Sequence, residues 1–291
     1  MFETLEEIYS EFKYNVETIN KYKYLTDYIL ELYNNKNIET NCSDTNKLLW
    51  NGIYYQHVEK DYNEMKKYYL IAIDLGSYNA MYNLGDYYQD IEENYDEMKK
   101  YYLMAIELGN IYSMNNLGHY YETIEKNYDE MEKYYLKAVE FNNIEAMNGL
   151  SFYYTDIKNY KEMKKYYLMA IELGDTVSMY ILGYYYQRIK NYEEMKKYYL
   201  MAFENGNDNG LYYLMEYYRL YNTNNYKELE DILLLYFEKG NKEVIIYLAK
   251  YYEKFEIDYD KMEKYYLIGI EKNILDSKYF LNLYLSEKMK K

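Results

Sequence analysis

The chain has 291 residues, 49% of them apolar, a mean hydropathy of −0.69 and a formal net charge of −15. So acidic a balance argues against nucleic acid and an anionic membrane surface as partners, because both are gripped by Lys and Arg. One cysteine, Cys42, permits no internal disulfide, and the absence of proline removes the strongest helix breaker.

The opening Met-Phe-Glu-Thr-Leu-Glu-Glu lacks the basic start and apolar run of a signal peptide. The longest apolar stretch, Ile232 to Phe237, is too short to span a bilayer. A cytoplasmic chain is expected, in which the glycosylation pattern Asn41-Cys42-Ser43 is inert. Residues 1–46 read as degenerate capping helices. Leu5, Ile8, Tyr9 and Phe12 form one apolar stripe, Leu25, Tyr28, Ile29 and Leu32 another, and Asn34 to Thr45 a polar loop.

Residues 47–275 carry seven copies of one unit. The line Asn-Tyr-x-Glu-Met-x-Lys-Tyr-Tyr-Leu-x-Ala recurs with its first tyrosine at Tyr62, Tyr95, Tyr128, Tyr160, Tyr192, Tyr226 and Tyr259, at steps of 33, 33, 32, 32, 34 and 33 residues. A period in this range means a copied supersecondary unit stacked on itself. The residue before each marker tyrosine is Asn or Asp, a helix N-cap, and Glu stands three residues later in all copies but one, where Lys261 replaces it. That spacing resembles a capping box. Fourteen residues after the tyrosine come Gly76, Gly109, Asn142, Gly174, Gly206, Gly240 and Asn273, residues that tolerate a left-handed C-cap. A second helix precedes each marker helix, beginning near Lys47, Ala80, Ser113, Ala146, Ser178, Gly210 and Val244. Apolar positions such as Tyr62, Met65, Tyr69, Ala72 and Ile73 follow the helical period, so the chain is all-α, built of antiparallel helical hairpins. Residues 276–291 read as an unpaired closing helix.

The Ala-x-x-x-Leu-Gly-x-Tyr-Tyr helix followed by a helix ending Ala-x-x-x-Gly resembles the tetratricopeptide-like repeats, and within them the Sel-one-like branch. The chain differs in its shorter inter-helix loop and in having Tyr-Tyr where that branch favours Trp-Tyr. The resemblance implies a right-handed α-solenoid and a scaffold or adaptor role, and it transfers no catalytic residue.

Comparison of the copies separates packing from variation. The small residue (Ala80, Ser113, Ala146, Ser178), the Met after it, the Leu of Leu-Gly and the paired tyrosines hardly change and read as the buried face. The opposite stripe varies. One column runs Ile53, Asp86, His119, Phe152, Tyr184, Glu216, Lys250; a second runs Trp50, Asn83, Asn116, Gly149, Ile181, Tyr213, Tyr247. A third runs Gln56, Gln89, Glu122, Thr155, Gln187, Arg219, Glu253. By the resemblance this helix lines the concave side, so these columns are expected to form a groove for a protein or peptide. The expected contacts are Trp50, Phe152, Tyr184, Tyr213 and Tyr247, with Asp86, His119 and Glu216 among them. The acidity favours a basic partner. A monomer is expected, and the alternative is an architectural protein that self-associates through its ends or tyrosine-rich faces.

Chemistry is not signalled. His57 and His119 lie two repeats apart, too far to share a metal, and Cys42 has no histidine nearby in sequence. No Gly-rich phosphate loop, His-Glu-x-x-His or Cys-x-x-Cys occurs. Neither an enzyme nor a metal or cofactor site is expected. The outward Glu-Met-x-Lys face of the marker helices reads as solvated.

Overall fold

Each marker tyrosine opens a helix, and in six of the seven repeats the residue before it is seen to close the first turn. The computed structural model describes residues 7–8, 10, 25–35, 43–221 and 226–288, and in it Asn94 Oδ1 accepts the amide of Glu97 at 3.3 Å. Asn127, Asn159, Asn191 and Asp258 make the same bond, and Asp61 accepts from both Asn63 and Glu64. Each cap contributes about 1 kcal/mol to its helix. The seventh, Asn225, lies outside the described residues, as do Cys42 and most of the first apolar stripe.

The full capping box does not form. The cap's own amide is already spent on the preceding helix, Asn94 N–H donating to Tyr88 O at 2.8 Å and Asn159 N–H to Tyr154 O at 2.8 Å. The glutamate therefore turns to the lysine three residues on, as in Glu97–Lys100 at 2.8 Å.

Helix ends also follow the sequence. Gly76, Gly109, Gly174, Gly206 and Gly240 have φ between 83° and 88°, and Asn142 and Asn273 stand at 60° and 58°. The other loop of each repeat was not legible. There the left-handed residue is Lys60, Glu93, Lys126, Lys158, Lys190 or Ile257, with φ between 51° and 61° and no glycine to ease it.

Sixteen helices result among the described residues. They fall into two compact units that part between Leu173 and Gly174. In the first, α1 (Thr26–Asn35) precedes four hairpins, each a Leu-Gly helix (A) followed by a marker helix (B). They are α2 (Thr45–Tyr54) with α3 (Tyr62–Asp74), α4 (Tyr78–Asp90) with α5 (Tyr95–Glu107), α6 (Ile111–Tyr120) with α7 (Tyr128–Val139), and α8 (Ile144–Asp156) with α9 (Tyr160–Glu172). The second unit holds α10 (Thr176–Arg188) with α11 (Tyr192–Glu204), α12 (Asn209–Tyr221) with α13 (Tyr226–Glu238), α14 (Val244–Lys254) with α15 (Tyr259–Glu271), and α16 (Leu275–Lys288). Most A helices start about two residues earlier than the sequence suggested, because Asp44, Ser77, Asn110, Asn143 and Asp175 cap them.

Tyrosine is the mortar within each unit. In six of the seven hairpins the second tyrosine of the A-helix pair stacks on the first of the following B helix, the sixth having Ile232 there. Tyr55/Tyr68, Tyr88/Tyr101, Tyr121/Tyr134 and Tyr154/Tyr166 lie with centroids 5.5–5.7 Å apart and planes within 11°. Tyr186/Tyr198 and Tyr252/Tyr265 repeat this in the second unit. Each pair adds roughly 0.5–1.5 kcal/mol beyond its buried area. Where a hydroxyl of these pairs is drawn inward it meets a carboxylate, Tyr154 donating to Glu132 and Tyr252 to Glu230.

The next ring explains the Leu-Gly signature. Tyr69, Tyr102, Tyr135 and Tyr199 lie flat on Gly52, Gly85, Gly118 and Gly183, where an added Cβ would come within 2.3–2.6 Å of a ring carbon. Ser151 and Ala249 hold this place opposite Tyr167 and Tyr266, so a small side chain suffices.

Candidate functional site

The three variable columns of the A helices do different work. In the third, the varying residue of four repeats accepts a hydrogen bond from the hydroxyl of the tyrosine on glycine. Tyr69 donates to Gln56 at 2.7 Å, Tyr135 to Glu122 at 2.8 Å and Tyr199 to Gln187 at 2.8 Å. Gln and Glu alternate freely because either carbonyl or carboxylate oxygen can accept. Repeat six supports this account, since Leu233 replaces the tyrosine there and Arg219 replaces the acceptor, pairing with Glu216 at 2.6 Å.

The second column packs on the tyrosine of the preceding repeat. Asn83 and Asn116 donate to the hydroxyls of Tyr69 and Tyr102, both at 3.4 Å. Gly149 leaves room for Tyr135, whose ring a Cβ would meet at 2.8 Å. Trp50 is fully buried, its ring 6.3 Å from Tyr33 of α1 in an edge contact. It is core and not groove. Ile53, from the first column, is buried with it. The opening helix takes the place that a preceding repeat would occupy.

The first column holds the remaining expected contacts. Asp86 is half-buried and accepts from the Tyr102 hydroxyl and, at 3.1 Å, from Asn116 Nδ2. Burial outweighs those bonds and lifts its carboxyl to about 6. His119 is exposed, with Nδ1 3.6 Å from Glu122. Phe152 stands 56% exposed on α8, in the first unit. Tyr184, Tyr213, Tyr247 and Glu216 belong to the second unit, and Glu216 is committed to Arg219.

Within the second unit the aromatic residues do converge. Tyr213 lies between Tyr180 and Tyr199, with centroids 5.9 Å from each and interplanar angles of 7° and 19°. Burial raises the Tyr199 hydroxyl, and Tyr213, Tyr184 and Tyr180 around it push the same way. Tyr184, one helical turn beyond Tyr180, remains 48% exposed at the edge of this set. Tyr180 and Tyr199 were missed from sequence, although the 180/184 spacing puts both rings on one face of α10. Tyr247 sits on α14, its ring edge-on to Phe203 at 6.2 Å and its hydroxyl donating to Asp208 O at 3.3 Å; burial lifts that hydroxyl to about 12. A cleft of about 380 Å³ opens beside it, walled by Lys242, Glu243, Lys250 and Asp276.

Among the described residues no three His, Cys, Asp or Glu side chains cluster as a metal site would require. No helix there is long and apolar enough to cross a membrane.

No protein-family model and no curated protein matches the chain. Solved structures do. A protective antigen of uropathogenic Escherichia coli, c5321, which displays an SLR fold, matches at 22% identity and a TM-score of 0.53 over 84% of this chain; the chain spans only 57% of that protein. A Sel1 repeat protein from Oxalobacter formigenes matches at 25% identity and the same TM-score of 0.53, covering 70% of this chain and 90% of the other. In fold, then, the chain is an all-α helical repeat protein similar to Sel1 repeat proteins.

Proposed function

We propose that the chain is a non-enzymatic scaffold that binds a protein through the A-helix face of its second unit. The contact set is Tyr184, Tyr213 and Tyr247, and the occupant is a peptide or partner helix. The observation that supports this is Tyr184. Its ring flanks a stacked aromatic set yet keeps nearly half its surface in water, 48%. Tyrosine with an apolar ring and a free polar edge is what interface hot spots are made of, and Gln187 lies three residues on along the same helix. The net charge of −15 favours a partner with a basic face. Phe152 is an additional contact that the first unit offers on its own.

The test separates binding from folding. Tyr184→Ala and Tyr213→Ala are compared with wild type for thermal stability and for protein recovered by photo-crosslinking in the native cell. Tyr184→Ala is expected to melt within about 2 °C of wild type, as exposed substitutions do. Its recovery of the cross-linked protein should fall roughly tenfold, the size of a 1.4 kcal/mol contact. Tyr213→Ala should lose both, because its ring also packs. Unchanged recovery with a lowered melting point for Tyr184→Ala would make that residue core and end the proposal.

A further inference from the structure

The B helices of the first unit carry a feature that packing does not require. Leu70, Leu103, Leu136 and Leu168 occupy one position in four successive repeats, and three of them are exposed while Leu136 is half-buried. The next residue has drifted through Ile71, Met104, Lys137 and Met169, so recent duplication does not account for the constant leucine. At the end of each helix comes a second exposed apolar residue: Leu75, Leu108, Phe141 and Leu173. In the second unit that place is taken by Asn205, Lys239 and Lys272.

Acidic residues run among these side chains. Asp74, Glu107, Glu140 and Glu172 are all exposed, and each lies four residues after the leucine, on the same side of its helix. None of them joins an ion pair or hydrogen bond among the described residues. Four lysines of the same face are already matched, Lys67, Lys100, Lys133 and Lys165 each meeting the glutamate three residues earlier at 2.7–3.3 Å; Lys137 lies over the Tyr134 ring at 5.2 Å, and Lys164 makes no ion pair among the described residues. The four matched lysines also sit over the stacked tyrosine rings at 4.6–5.4 Å. Around Leu103, Leu108 and Phe141 the face presents aliphatic surface beside the exposed carboxylates of Glu107 and Glu140. Exposed apolar residues repeated in register mark an interaction surface, and the unmatched carboxylates select the sign of what covers it.

We infer that this file of B-helix residues in the first unit is a second docking surface, whose occupant is a basic amphipathic helix of a partner protein. Its leucine-sized residues lie on Leu103, Leu108 and Phe141, and its Lys or Arg side chains meet Glu107 and Glu140. The aromatic face of the second unit is not involved, so the two sites fail independently.

The probe is a pair of designed amphipathic helices of about twenty residues, one patterned in Leu and Lys, the other in Leu and Glu. Fluorescence anisotropy measures each against the full chain. The Leu/Lys helix should bind roughly tenfold tighter or better, and weaken as salt rises. Leu108→Ser with Phe141→Ser should cut that binding roughly tenfold, and Glu107→Gln with Glu140→Gln, which touches no packing, should cut it severalfold. Tyr184→Ala should leave it unchanged. Equal binding of the two helices, or full binding to both double variants, overturns the inference. So does light scattering that finds a dimer which Leu108→Ser with Phe141→Ser dissolves, since the occupant would then be a second copy of the chain.

Discussion

The second and sixth repeats solve one packing problem in opposite ways. In the second, Gly85 makes room for the Tyr102 ring, and Gln89 and Asp86 receive its hydroxyl. In the sixth, the ring is Leu233, the glycine is Met215 and the acceptor is Arg219, with both apolar residues buried in one cluster. Volume moves from one helix of the hairpin to the other, and the polar acceptor leaves with the hydroxyl that needed it. Positions that vary between copies are therefore not free by that fact alone. Many vary in concert with a partner.

That comparison can be strained from several sides. Tyr102→Ala should do most damage, removing a fully buried ring and one of the donors to Asp86; a loss of about 4 kcal/mol is expected in urea unfolding. Leu233→Ala in the sixth repeat should cost about 3 kcal/mol, with no polar group left behind.

Asp86 gives the comparison a pH dependence. Its carboxyl is raised in the fold from 3.8 to about 6, so the folded state binds its proton more tightly than the unfolded chain. The stability it confers is complete below pH 4 and is lost as pH rises through 6. Asp86→Asn keeps an oxygen for Tyr102 and discards the charge, and should stabilise the chain by about 2 kcal/mol at pH 7.5. That advantage should shrink steadily in melts taken from pH 7 down to pH 4.

Smaller effects come from the strained loops. Ile257 has φ of 54°, a conformation that costs a β-branched residue about 1 kcal/mol or more, so Ile257→Gly should raise the melting point despite its added chain entropy. The smallest change is Lys100→Gln, which removes an exposed pair with Glu97 and a ring contact with Tyr101, for about 0.5 kcal/mol.

Much of the fold was written in the sequence because each signal is local. Caps, C-terminal glycines and the helical period act within a few residues, so they could be read copy by copy. What stayed hidden depends on neighbours distant in the chain. Trp50 looked like a groove residue because the stripe of Leu25, Tyr28, Ile29 and Leu32 announces a capping helix but not which side chains of α2 it will cover. Gln56, Gln89, Glu122 and Gln187 looked variable because the eye sorts residues by type, whereas the tyrosine hydroxyl asks only for an oxygen. Of the expected contacts, Phe152 and Tyr184 kept their exposure, Tyr213 and Tyr247 divide theirs between packing and solvent, and Asp86 and Glu216 are engaged within the fold. The constant leucines of the B helices stand in the repeat line itself, but nothing local in the sequence says whether they face the core or the solvent.

A double-mutant cycle on the second repeat tests the exchange of ring and glycine most directly. Gly85→Met, Tyr102→Leu and the pair are unfolded in urea beside wild type. Each single change should cost about 2–3 kcal/mol, the first by overpacking and the second by a cavity, and the pair should recover at least 1.5 kcal/mol of their sum. Costs that add to within about 0.5 kcal/mol would contradict the account, because the two positions would then not share one volume.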